Sequence, residues 1–379
     1  MMHAKKFLLR AVLLNLVALL PLAVASAADE KPQGELGREA EAAVQKGIDH
    51  LRTKGQTAEG AFTPTIGPGI TAIVTTAVLR NGRTVDDPLV AKGLKYLEGF
   101  VQPNGGIYDP KSRIQNYETC LGVVCFSEAN VKGHYDAILK NADKYLKGLQ
   151  SDEKDGRKPS DVEYGGVGYG GAGRPDLSNT HFLVEALEAA GDGPDDEAVK
   201  RALIFVSRCQ NLETEHNTTA FAAKDPDGGF YYTPAGGGSS PAGKTAGGGL
   251  RSYGSMTYAG LKSMIFAGLK ADDPRVKAAI DWAQKHYTLA ENPGLGEAGL
   301  YYYYHLFAKA LDAAGQETIT DSDGKVHHWR TELASELARR QQPDGSWINK
   351  DSRWMEGDPN LVTGYALLTL SYCRPAAKK

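Results

Sequence analysis

One unit, repeated six times, limits what this chain can fold into. A first copy reads KGIDHLRTKGQTAEGAF from Lys46 and a second KGLKYLEGFVQPNGGI from Lys92. A third, KNADKYLKGLQ, starts at Lys140. A fourth, RALIFVSRCQ, starts at Arg201, with its DPDGGF turn delayed to Asp225. A weaker fifth, KAAIDWAQKHY, starts at Lys277, and the last, ELASELARRQQPDGSW, ends at Trp347. Each begins as an amphipathic helix with a period near 3.6. In most, a Gln follows at the helix end, where its amide can serve the unpaired last carbonyls. A Gly then turns the chain, and an aromatic or aliphatic residue closes back on the helix. Such self-similarity marks architectures in which a unit buries its apolar face against its neighbours.

After each turn comes a second, more apolar helical segment. These read TAIVTTAVLRNG, NYETCLGVVCFSEAN, NTHFLVEALEAAG, SMTYAGLKSMIFAGL, GLYYYYHLFAKALDAAG and NLVTGYALLTLSYC. Most end in Gly, Asn or a D-D-P turn, the expected stop signals. Almost no segment alternates as a strand does. Six pairs make an all-α chain of twelve helices, and both an open solenoid and a closed toroid satisfy that pattern. The second helices are apolar nearly all round, as an inner ring covered by an outer ring requires. The final helix is among the most apolar, whereas an open solenoid needs a polar terminal cap. The sequence therefore predicts an α6/α6 toroid, a closed barrel of six helical hairpins, over residues 41–379. One core replaces the two domains expected by default for a mature chain of about 350 residues.

Residues 1–27 read as a secretory signal peptide. Lys5, Lys6 and Arg10 precede an apolar run from Ala11 to Leu20, and Ala25-Ser26-Ala27 forms a small-x-small cleavage pattern after Pro21. Residues 28–40 read as a linker. The expected location is extracytoplasmic, periplasmic or secreted, with no stable membrane anchor after cleavage, since no later segment is long and apolar enough to span a bilayer. A net charge of −3 without a basic tract argues against a nucleic-acid partner. Cys120 and Cys125 fall too far apart on one helix to bridge, and Cys209 and Cys373 can pair only if the fold brings them together.

Gly238 to Thr245 match the phosphate-loop pattern G-x-x-x-x-G-K-[ST] in full. That loop works only between a buried strand and a helix whose N-terminus faces the phosphates. Here a repeat turn, DPDGGFYYTPAGG, precedes it and AGGG follows Thr245, so Lys244 is expected to bind no nucleotide. A long Gly-rich loop near a mouth of the cavity is the reading that remains.

QQPDGSW, Gln341 to Trp347, resembles the Gln–Trp repeat of the squalene-cyclase and prenyltransferase superfamily, and the likeness covers nearly the whole mature chain. The resemblance implies an α6/α6 toroid whose central cavity holds isoprenoid chains in relatives; it does not carry over a reaction. In squalene–hopene cyclases the middle Asp of an Asp-x-Asp-Asp-Thr run protonates the alkene. The matching PDLSNT keeps Asp176 but places Ser178 at the donor position and Asn179 at the last Asp. The prenyltransferase zinc ligands Asp, Cys and His are absent around Tyr231, Tyr232 and Tyr258, as is the thioester Gly-Cys-Gly-Glu-Gln. No metal and no cofactor is expected, and Asp176 is the remaining candidate acid.

In a toroid the inner-helix N-termini converge on one mouth. The residues expected to contact a ligand there are Tyr117, Glu118, Asn179, His181, Tyr253, Tyr258, Tyr302, His305 and Thr363. Such a lining suits a hydrophobic or partly polar small molecule of isoprenoid-like or other extended shape. The expected function is binding without the family's catalysis. The alternative is an enzyme: a divergent cyclase or transferase, or a carbohydrate-active protein. In that last case Glu118, Asp176 and Glu297 would supply a carboxylate pair, or Asn179, His181 and a tyrosine would serve a lyase. Capping of helix N-termini is the competing use of those acids.

Overall fold

The computed structural model describes residues 33–170 and 173–374; the predicted signal peptide lies outside them. Twelve α-helices alternate along these residues. α1 (Gln33–His50) is followed by α2 (Gly69–Arg80), α3 (Pro88–Glu98) by α4 (Gln115–Glu128), and α5 (Asp136–Lys147) by α6 (Leu177–Ala190). α7 (Glu197–Arg208) precedes α8 (Gly254–Phe266), α9 (Pro274–Lys285) precedes α10 (Leu300–Ala313), and α11 (Trp329–Arg340) precedes α12 (Pro359–Cys373). A short antiparallel pair, β1 (Ile319–Thr320) and β2 (Val326–His327), sits between α10 and α11. α1 already covers residues 33–40, part of the segment read as a linker, because ELGREAEAA is rich in helix-forming Ala and Glu.

The two helix types differ in burial as their composition demands. α2 buries every residue from Gly69 to Val78. α3 buries only Leu89, Val90, Gly93, Leu94 and Leu97, one stripe of a 3.6-residue period. The even-numbered helices pack in sequence, α2 on α4, α4 on α6, α6 on α8, α8 on α10 and α10 on α12, and α12 packs on α2. α3, α5, α7 and α9 each lie on the even helix before them, while α1 and α11 touch each other and both lie on α12. Four of the odd-numbered helices thus pair more closely with the even helix before them than with the one after, offset from the unit read in the sequence. Short acidic turns cause this: Asp87, Asp196 and Asp273 cap α3, α7 and α9 by accepting from Leu89, Ala198 and Arg275 N–H. Among the described residues no helix is long and apolar enough to cross a membrane. Cys120 and Cys125 are buried free thiols on α4, and Cys209 and Cys373 are likewise free.

The repeated glutamines do something other than serve their own helix ends. Gln56 Nε2 donates to Gly60 O in its own turn and to Leu89 O of α3, at 3.2 and 2.8 Å. Gln150 joins Gly165 O to Ala198 O of α7, and Gln210 joins Gly228 O to Arg275 O of α9, all at 2.9 Å. Gln341 repeats the bond between the last turn and the first helix, reaching Gly345 O at 2.9 Å and Ala43 O of α1 at 2.8 Å. Gln102 stays local, on Phe100 and Tyr108 carbonyls. The closing residue of each of five turns donates its N–H to a threonine of the following helix: Phe62 to Thr71, Ile107 to Thr119, Val167 to Thr180, Phe230 to Thr257 and Trp347 to Thr363. The turn glycines permit this close approach. Gly345 has φ +89°, and a Cβ there would lie 2.4 Å from Lys46 O of α1.

Trp347 is fully buried, donates Nε1–H to Leu337 O at 2.8 Å, and fills the space left by Gly47 of α1, where a Cβ would come within 2.8 Å of the ring. Trp347→Ala is expected to cost ~3–5 kcal/mol in denaturant unfolding, from lost burial and the cavity left behind. An unchanged midpoint would show that this seam does not hold the last unit to the first.

Candidate functional site

The first turns of all six even-numbered helices line one cavity of 540 Å³. Gly69 and Ile70 come from α2, Tyr117 from α4, Ser178 and Phe182 from α6. Ser255 and Met256 of α8, Tyr302 of α10, and Leu361 and Tyr365 of α12 complete the wall. These helices therefore start at the same end. Loops add Tyr169, Tyr232, Tyr253, and the segment Arg353–Glu356. The Gly-rich loop contributes Ser239 and Pro241, while its Lys244 is exposed and the next helix begins only at Gly254. The phosphate-loop requirement for a helix directly after the Thr is unmet.

At the rim Trp354, Met355 and Tyr169 are 46%, 42% and 44% exposed. Trp354 and Met355 both have left-handed backbones, φ 53° and 67°, a conformation costing a non-glycine residue ~1–3 kcal/mol. Gly299 allows the approach of this segment, since a Cβ there would lie 3.0 Å from the Trp354 ring. Glu356 anchors it from below, accepting from Tyr302 N at 2.8 Å, Tyr301 N at 3.2 Å and Asn349 Nδ2 at 2.7 Å. Burial pushes the Glu356 carboxyl up, while those donors hold it down.

Beneath the cavity the axis is polar. Tyr302 Oη lies 2.5 Å from His181 Nε2 and 3.4 Å from Ser178 Oγ. His181 Nδ1 is 3.0 Å from Lys262 Nζ, which donates to Glu185 Oε2 at 2.6 Å. Lys309 donates to the other Glu185 oxygen. Lys262 is 0% exposed. Its ion pair with Glu185 marks it as an ammonium, while burial lowers its pKa to about 8 against the raising effect of that carboxylate. Burial also lowers His181 well below the ordinary imidazole range, and Lys262 adds to the effect. His305, with Arg80 and Glu185, borders a small void of 20 Å³ on this axis.

Of the residues expected to contact a ligand, Tyr117, Tyr253 and Tyr302 line the cavity. His181 and His305 lie below it. Tyr117 Oη is 3.3 Å from Tyr365 Oη, and its ring meets Phe182 edge-on at 4.9 Å. Glu118 is turned away, accepting from Asp109 N at 3.2 Å, and burial raises its pKa to about 7. Asn179 is committed to Asp176, Thr363 to Trp347, and Tyr258 packs among Tyr303 and Phe307. Glu297 is exposed. Sequence reasoning missed Tyr169, Trp354, Met355, Glu356 and Tyr365, and the ion cluster of Glu185, Lys262 and Lys309. Long polar residues inside otherwise apolar helices were the available signal for that cluster.

Asp176 caps α6, accepting from Asn179 N and Asn179 Nδ2 at 2.8 Å each. A helix N-terminus by itself depresses the pKa of a capping carboxylate. Burial outweighs those bonds and raises it to about 6. Its oxygens point to the cap and to Tyr232, and it does not line the cavity. Among the described residues no group of three or more His, Cys, Asp or Glu side chains is arranged to hold a metal.

No protein-family model and no curated protein matches the chain. Solved structures do. A D-mannose isomerase matches with TM-score 0.57 at 10% identity, over 91% of this chain and 99% of its own. A glycosidase in complex with glucose matches with TM-score 0.51 at 12% identity, over 91% and 99%. A type II terpene cyclase from Scytonema matches at 14% identity over 90% and 98%, but its TM-score of 0.32 bears no argument. At these identities the likeness is one of fold, to enzymes of the α/α toroid type.

An acid whose folded pKa is raised contributes stability that is complete below its ordinary range and lost as pH rises through the folded value. Replacing Asp176 by Asn is therefore expected to shift the stability difference in the variant's favour, by up to about 3 kcal/mol between about pH 3 and pH 7. Urea unfolding of both proteins across that range measures it. A pH-independent difference would show that Asp176 does not titrate there.

Proposed function

We propose that this chain is a closed α/α toroid of six hairpins, exported from the cytoplasm, that binds an extended and partly polar small molecule in its cavity without transforming it. Support for closure comes from the α12–α2 contact and the Gln341–Ala43 bond, which repeat the internal ones. Export rests on the basic, apolar and small-residue pattern of residues 1–27. The observation that carries the binding reading is the cavity. Its 540 Å³ lies in the range of small-molecule sites, and isoleucine, methionine and tyrosine side chains dominate its wall.

The enzyme reading draws on the company the fold keeps, an isomerase and a glycosidase. Hydrolysis of a glycosidic bond needs two carboxyl groups free to face the substrate. Here Asp176, Glu118 and Glu356 are each held by backbone N–H groups of a cap or turn, and only Glu356 borders the cavity. Alkene protonation needs a strong, dry acid, and Ser178 at the cavity wall has only a hydroxyl. Isoprenoid chains remain suitable as ligands.

Native mass spectrometry of the purified protein is expected to show a bound small molecule that leaves on denaturation. Incubation with squalene and with geranylgeranyl diphosphate is expected to return both unchanged. Cyclised product that disappears in Asp176→Asn would make the protein an enzyme and overturn this reading.

A further inference from the structure

We infer that the cavity floor is a hydrogen-bond donor site for one oxygen atom of the ligand, a ketone or carboxylate at the end of an otherwise apolar molecule. The Tyr302 hydroxyl is the donor, and His181 and Lys262 are the positioning residues behind it. This inference rests on the binding reading above and names the ligand's chemistry.

The direction of each hydrogen follows from the chain of contacts. An ammonium has three donors and no lone pair to offer, so His181 Nδ1, 3.0 Å from Lys262 Nζ, is the accepting nitrogen. A neutral imidazole then carries its hydrogen on Nε2 and donates it to Tyr302 Oη at 2.5 Å. Tyr302 has one hydrogen of its own, and it must point away from His181. The Ser178 hydroxyl, 3.4 Å away, and the cavity that Tyr302 lines are open to it. Ser178 brings a second hydrogen to the same wall.

The groups facing His181 keep the arrangement in one state. Lys262 from α8, and Lys309 and His305 from α10, all disfavour a charged imidazole, while Glu185 from α6 favours it and loses to burial. Glu185 itself is fixed between the two lysines. Burial pushes the Tyr302 phenol well up, so it serves as a donor and not as a base. A ligand with an acceptor oxygen takes that hydrogen at full strength; a pure hydrocarbon leaves it only the long 3.4 Å contact with Ser178, a weaker bond than the one an acceptor oxygen would make.

Two measurements test this. Nitrogen-15 NMR of histidine-labelled protein near pH 6.5, the ordinary imidazole midpoint, reads the His181 tautomer directly. His181→Gln assigns the signal. A neutral ring protonated on Nε2 is expected, unchanged from about pH 5.5 to 7.5. A ring protonated on Nδ1, or one that titrates, overturns the inference. The second measurement is calorimetric binding of dodecane, methyl decyl ketone and dodecanoate to the intact protein. The ketone and carboxylate are expected to bind at least about tenfold tighter than the hydrocarbon, and Tyr302→Phe to erase that difference. Equal affinities in the wild type, or a preference that survives Tyr302→Phe, overturn it. If none of the three binds, the reading of the cavity as an apolar-chain site fails, and the tautomer still decides the donor geometry.

Discussion

The structure depends on a primary amide with two hydrogens. In four of the repeats a glutamine at the end of one odd-numbered helix divides its Nε2 donors between its own turn and a carbonyl of another, in three cases in that helix's first turn. Neither bond is strong alone, at a net of ~0.5–1.5 kcal/mol. Their value lies in register, since the carbonyl that each amide meets fixes where the next unit sits. The glycine beside it must lack a side chain, and the threonine opposite must hold the closing residue's N–H. A change at any of the three displaces the neighbouring unit.

That register is what brings six helix starts to one place. Side chains of the first turns meet there, and tyrosine dominates because it combines apolar area with a hydroxyl that can find a partner when buried. One turn further in, the same inner face carries His181, Glu185, Lys262, His305 and Lys309. Burying such ions costs more than an apolar filling of equal volume returns, unless each is paired. Glu185 pairs with two lysines at once. The cluster is therefore weak evidence for stability and better evidence for a demand on direction at the cavity floor.

Much of the helical layout was legible in the sequence because the repeat states it six times. The twelve helices, the glutamine turns and the meeting of even-numbered helix starts at one cavity follow from the repeated pattern. The residue choice within those starts was less legible. Each step along a helix rotates the side chain by roughly 100°, so Thr363 and Tyr258 face neighbouring turns and helices while Tyr365 and Tyr302 face the cavity. Loop residues have no period to read: Tyr169, Trp354 and Glu356 reach the cavity through turns whose shape depends on the finished fold. Asp176 shows a different failure. Its cap bonds were foreseen, but the depth of its burial was not, and burial decided the sign of its shift.

The filled axis gives the cavity a bottom. With Glu185 and its lysines below and Trp354, Met355 and Tyr169 around the opening, the chamber is a blind cup with a greasy collar. A molecule can reach it from one side only and must leave by the way it came. A chain longer than the cup cannot thread through, so its surplus length would lie across the exposed collar, in contact with whatever delivers or collects it. Exchange would then be governed at the rim, and selection by length would be separate from selection by end group.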